Sequence, residues 1–192
     1  MRVTRRTRIF GCLVVLMMLV GALLSETWIG DLVKQRLPWV ERSFPDVTAD
    51  HLSPLQESVI GVLRAEYDAN PAGTKYSEGH REPWCADFVS WVLRKAGSPL
   101  SNPNSGSWRI PGVYTLTEYF QSHNRFHSAQ SGYVPKPGDV VIYSPKWRFG
   151  QHTNFAVAIN GGTLTTVGGN EGGVNRGTVE MDDPAIVGFG AL

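Results

Sequence analysis

The chain has 192 residues, enough for one domain of ordinary size, and its formal net charge of +1 supplies no field that would draw nucleic acid as a partner. Its 21 glycines and 12 prolines suit a loop-rich, partly β domain. No heptad pattern, internal repeat or low-complexity tract points to a coiled coil, a solenoid or a disordered tail.

Arg2, Arg5, Arg6 and Arg8 precede an uncharged run from Ile9 to Leu24. About 20 apolar residues span a bilayer, with a range of roughly 17–25, so a run of this length fits a signal peptide or a signal anchor. Its end, Gly21-Ala22-Leu23-Leu24-Ser25-Glu26, offers no clean Ala-x-Ala, which favours an uncleaved transmembrane anchor over a cleaved signal. In both cases the arginines stay in the cytoplasm and the rest is translocated. The expected division is residues 1–25 for arginines plus anchor, 26–52 for a juxtamembrane connector and 53–192 for the folded domain. Within the connector, Trp28, Ile29, Leu32, Val33 and Leu37 recur at helical spacing beside Lys34 and Arg36. That stretch suits a helix on a membrane surface, and equally a short packed helix or a tether.

Ser53-Pro54-Leu55-Gln56 reads as a capping box with proline at the first helical position. Leu55, Val59, Val62, Leu63 and Tyr67 then fall on one helical face, and Asn70-Pro71 ends it. After a polar loop, 72–82, a second helix is predicted from near Pro83. Phe88, Val89, Val92, Leu93 and Ala96 form its buried face and Gly97 its close. Residues 98–112 read as loop, and a short third helix is predicted over Val113–Gln121. The pattern then turns to strands: Val140–Tyr143, Phe155–Ile159, Leu164–Val167, Gly177–Met181 and Ile186–Phe189. Asn160-Gly161-Gly162 between two apolar runs is a hairpin signal. Helices first and antiparallel strands afterwards predict an α+β domain.

Cys85 carries the chemistry. The chain's other cysteine, Cys12, lies inside the hydrophobic run, so the domain has no partner for an intramolecular disulfide. An unpaired cysteine in an exported chain points to intermolecular pairing or to a reactive thiol. Its predicted place in the first turn of a helix favours the second, because orphan N–H groups and the helix dipole lower a thiol's pKa. The competing reading is a small buried hydrophobe. Cysteine catalysis also needs an imidazole within reach, oriented by a third group. His51 lies in the connector and His80 in the loop before Cys85. His123 and His127 have metal-pair spacing, but the tract from Ser122 to Ser131 is polar and without further ligands, and reads as a solvated turn. His152 is different, because it opens the strand Phe155–Ile159 and can face a helix N-terminus packed on that sheet.

Together these residues resemble the CHAP domain, the cysteine/histidine-dependent amidohydrolase/peptidase group related to the NlpC/P60 enzymes and papain-like in layout. The resemblance spans roughly Leu55 to Leu192. It rests on Trp84-Cys85-Ala86-Asp87-Phe88-Val89-Ser90-Trp91, on Pro135-Lys136-Pro137-Gly138-Asp139-Val140-Val141, on His152 with its strand, and on Thr165-Thr166-Val167-Gly168-Gly169-Asn170. It implies Cys85 as nucleophile, His152 as general base and Asn170 as the residue orienting the imidazole. Many members carry Glu two residues before this Asn, where this chain has Gly168. Glu171 is the other candidate, although continued strand alternation would point it to the opposite face.

For the oxyanion, the backbone N–H of Cys85 is the natural donor, and Tyr76 from the preceding loop is a second candidate. Trp84 either lines the substrate groove or packs under the helix. Some members bind calcium near the nucleophile. Glu78, Glu82 and Asp87 offer oxygens here but form no Asp-x-Asp, and solvated carboxylates or a loop salt bridge to Lys75 or Arg81 compete, so no metal or other cofactor is expected.

The expected function is hydrolysis of amide bonds in peptidoglycan stem peptides through a thioester on Cys85, at the outer side of the cell membrane. One alternative is a module that binds peptidoglycan or a division protein without cutting it. Another transfers the acyl group to an amine.

Overall fold

The computed structural model describes residues 43–47 and 51–192. The predicted anchor and most of the connector lie outside them. No described helix is long and apolar enough to cross a membrane.

The first helix, α1, runs Pro54–Ala69. Ser53 Oγ accepts from the Gln56 backbone N–H at 3.3 Å, and Gln56 Oε1 accepts from the Ser53 N–H at 2.9 Å, closing the predicted capping box. Asn70 caps the other end in the left-handed region at φ 40°, where asparagine is among the residues tolerated. A 3-10 turn at Gly73–Lys75 leads towards α2, Cys85–Lys95, and then α3, Val113–Ser122.

Six strands follow: β1 Phe126–Ser128, β2 Val140–Tyr143, β3 His152–Asn160, β4 Thr163–Gly168, β5 Asn175–Glu180 and β6 Ile186–Gly190. They form one antiparallel sheet in the order β1-β6-β2-β3-β4-β5. The β3–β4 hairpin turns on Gly161 and Gly162 at φ 58° and 91°, as a two-residue turn matching strand twist requires. Asp139 fixes the turn before β2. Its carboxylate accepts from the Lys136 N–H and the Tyr133 hydroxyl on one oxygen, and from the Leu192 N–H on the other.

Helix α2 packs against β3 and β4 and also touches α1 and α3. Phe88, Val89 and Val92 meet Val140, Ile142, Phe155, Val157 and Val167 in the main core. A second cluster, with Val141, Tyr143, Leu164 and Phe189, is covered by Tyr133 and Trp147. The domain is therefore α+β, with its helices packed on an antiparallel sheet.

Two expectations change. The tract read as a solvated turn contains β1, which pairs with β6. His127 stacks on Tyr133 with ring centroids 3.9 Å apart, and His123 stacks on Tyr119 at 4.1 Å. Aromatic packing and strand pairing, invisible to local polarity, decide His127, whereas His123 keeps the exposed turn expected for it. The compact unit also begins at Ser43 rather than near Ser53. Phe44 is 7% exposed, meets the Tyr67 ring edge-on at 5.7 Å and lies under the Arg64 guanidinium. Phe44→Ala is expected to lower stability by about 3 kcal/mol in chemical denaturation, the usual cost of deleting a buried phenyl ring.

Candidate active site

Cys85 is the first residue of α2, a free and buried thiol. The first backbone bond within the helix runs from the Phe88 N–H to the Trp84 carbonyl, and no side chain caps the helix start. The N–H groups of the first turn therefore remain as donors beside the sulfur.

Opposite stands His152, the first residue of β3 and 1% exposed. Its Nε2 lies 2.8 Å from Glu171 Oε1. The Cys85 thiol is the other group that acts on its proton affinity, and with Nε2 taken by Glu171 the ring offers it Nδ1. Burial alone would lower the imidazole pKa. The hydrogen bonds to Cys85 and Glu171, and their charges, outweigh it and push the value up to about 9. An imidazole that holds its proton at neutral pH is the partner a thiolate needs.

Glu171 is held in turn. Its Oε1 also accepts from Asn154 Nδ2 at 3.1 Å, and the same amide reaches Thr166 Oγ1 at 3.1 Å. Asn154 Oδ1 accepts from the Tyr143 hydroxyl at 3.2 Å. Burial keeps that phenol well above its ordinary pKa, so it stays a donor. The row Tyr143, Asn154, Glu171, His152, Cys85 is buried throughout.

The side chain that meets the imidazole is thus Glu171 rather than Asn170. The strand reading failed because β4 ends at Gly168. Asn170 then takes φ 63°, which turns the chain so that Glu171 returns over the strand it has just left. The loop is fastened: Glu171 N–H donates to the Gly173 carbonyl, Asn175 Nδ2 to the Glu171 carbonyl, and Val174 N–H to Asn70 Oδ1 at the end of α1. Gly168 makes the arrangement possible. A Cβ there would lie 2.5 Å from both Glu171 Oε1 and Asn154 Cβ. Asn154 was legible in principle, because it lies two residues from His152 in an apolar strand and so on the same side.

Tyr76 is not an oxyanion donor. It is fully buried and its hydroxyl donates to Glu66 Oε2 at 2.8 Å. Burial, reinforced by that carboxylate, drives its pKa far up. Trp84 stacks on Tyr76 at 5.2 Å, and its indole fills the space beside Gly73 and Gly169 that any Cβ would occupy. It is a packing element between the loops flanking Cys85. Glu82 and Asp87, two of the oxygen donors weighed for calcium, are both engaged by Arg109, with Nε 2.7 Å from Asp87 Oδ1. Burial, with the charge of Glu78 adding, pushes Asp87 up to about 7, and the guanidinium is its counter-charge. The two carboxylates thus face a cation of the chain itself. The partner comes from loop 98–112 rather than from Lys75 or Arg81, which sequence proximity had favoured. Among the described residues no group of three or more metal-ligating side chains occurs.

Gly168→Ala is expected to cost roughly 1–3 kcal/mol of stability through overpacking. Because the added methyl displaces Glu171, thiol reactivity towards iodoacetamide should fall at least tenfold at neutral pH, measured alongside denaturation.

The sequence model of the CHAP domain matches residues 75–170. No curated protein matches the chain. Among solved structures, one similar chain is that of "The crystal structure of Ly7917", at 15% identity, with a TM-score of 0.45 over 71% of this chain and 62% of that one. The present chain therefore spans about three fifths of that protein's length. The matched residues include Cys85 at the open helix start and His152 across from it, and the chain belongs to the CHAP domain family.

Proposed function

We propose that the protein is a cysteine amidohydrolase or peptidase, papain-like in layout, that hydrolyses amide bonds of peptidoglycan stem peptides. The observation that carries this reading is the buried row in which the His152 imidazole stands between the Cys85 thiol and the Glu171 carboxylate. Peptidoglycan as substrate follows from the family.

In this reaction the Cys85 thiolate attacks the amide carbonyl. The developing oxyanion is met by backbone N–H groups at the start of α2. His152 gives its proton to the leaving amine, and a thioester remains on the sulfur. His152 then takes a proton from water as it attacks the thioester, and the acid leaves with the thiolate restored. Glu171 holds the ring with Nδ1 towards the sulfur and balances the imidazolium charge. Asn154 and Tyr143 keep that carboxylate from turning away. The uncharged run Ile9–Leu24 supports retention at the outer face of a membrane, where the tether would confine the enzyme to nearby wall.

The decisive test is digestion of purified peptidoglycan by the full chain, with Cys85→Ala beside it, with and without calcium, and mass spectrometry of the products. New fragments from the wild type alone are expected, and their masses separate cleavage at the muramoyl–alanine amide from cleavage within the peptide. No fragments from either folded protein would overturn the hydrolase reading and leave a binding module.

A pH profile tests the roles. Activity requires the protonated imidazole, so kcat/KM should fall as pH rises through about 9. Glu171 raises the imidazole pKa, so Glu171→Gln should move this alkaline limb to lower pH by roughly one unit or more. An unmoved limb would remove Glu171 from the mechanism.

A further inference from the structure

The loop between β2 and β3, residues 144–151, carries a feature that the Cys85 centre does not use. Trp147 anchors it by stacking on the buried Tyr143 ring, with centroids 4.4 Å apart and planes 18° apart. The turn closes through Trp147 N–H to the Ser144 carbonyl and Gly150 N–H to the Trp147 carbonyl. On this base sits Arg148, whose guanidinium carbon lies 4.8 Å from the Trp147 ring centroid and 5.1 Å from that of Phe149. Phe149 in turn stands 5.4 Å from the His152 ring and is 46% exposed, one of few large apolar side chains so open to solvent.

A guanidinium engaged through its faces keeps the N–H groups at its edge free, and that edge matches a carboxylate in bidentate fashion. The ion pairs among the described residues are Lys75–Glu66, Arg109–Glu82, Arg109–Asp87 and His152–Glu171, and none satisfies Arg148. Glu171 directs Oε1 to His152 and Asn154; its Oε2 borders the same space above Gly177 as Arg148 Nη2, but the two make no ion pair. Aromatic packing also limits the rotamers of Arg148, so less conformational freedom is lost when a ligand binds. Arg148 Nη2 comes to 3.1 Å from where a Cβ would stand on Gly177 of β5, so the absence of a side chain there leaves the arginine room across the strand.

We propose that Arg148 is a specificity-determining residue, a subsite for a free carboxylate on the substrate, with Phe149 as the apolar floor leading from it to His152. The inference rests on the proposed reading of Cys85 and His152 as the reacting pair. Arg148 and His152 are both neighbours of the one Phe149 ring. An extended peptide advances roughly 3.3–3.6 Å per residue, so the recognised carboxylate belongs to a residue two or three positions from the cleaved amide. The substrate class is therefore an acidic peptide, and amidation of that carboxyl group removes the recognition.

The test uses two synthetic stem peptides identical except for one glutamyl carboxyl, free in one and amidated in the other. Binding to full-length Cys85→Ala protein is measured by calorimetry, and cleavage by the wild type is measured in parallel. The free acid should bind and be cleaved about tenfold better, in line with one charge-assisted pair. Arg148→Met should bring the acid down to the level of the amide and leave the amide unchanged, while Arg148→Lys should keep part of the preference. Equal treatment of the two peptides by the parent protein, a preference that survives Arg148→Met, or an equal loss on both peptides would each overturn the assignment. Binding needs no chemistry, so the two readings fail separately. Acid-selective binding through Arg148 without any cleavage would sink the hydrolase reading alone, and cleavage of both peptides at one rate would sink the subsite alone.

Discussion

The site depends on one buried bond, from His152 Nε2 to Glu171 Oε1. A carboxylate and an imidazole that are both withdrawn from water are costly unless each has partners. Much of the surrounding structure meets that demand. Asn154 supplies Glu171 with a second donor and is itself satisfied by Tyr143 and Thr166. The left-handed Asn170 and the bonds of the 171–175 loop bring the carboxylate back over β4. A side chain missing at position 168 gives the carboxylate its room. Removing any one of these leaves a polar group stranded or a ring unheld, so the network stands or falls together.

Helix α2 links this polar network to the apolar core. The residues that bury its face, Phe88, Val89 and Val92, set the height at which its first turn meets the sheet, and thus where the sulfur meets the imidazole. Gly169 lets the end of β4 run against Phe88 and Trp84 with no side chain between them. Packing and chemistry therefore share residues. The glycines at 168 and 169 face the carboxylate and helix α2 respectively.

The elements made by local rules were legible. The capping box at Ser53, the hairpin at Gly161-Gly162, the open helix start at Cys85 and the strand headed by His152 follow from periodicity, turn chemistry and capping. What depends on distant contacts was not. The short strand β1 exists because β6 lies beside it, and His127 is fixed by Tyr133. The resemblance implied Asn170, and strand alternation, continued past the end of β4 at Gly168, turned Glu171 to the wrong face. Arg109 reaches Glu82 from 27 residues away, so proximity along the chain favoured the wrong cation.

A domain starts where packing starts. Phe44 is clamped against Tyr67 and Arg64, so that point is Ser43 rather than Ser53. The edge of the domain is then set by an aromatic contact as well as by the capping box. A substitution that frees Phe44 would therefore move the edge of the domain without adding or removing a residue.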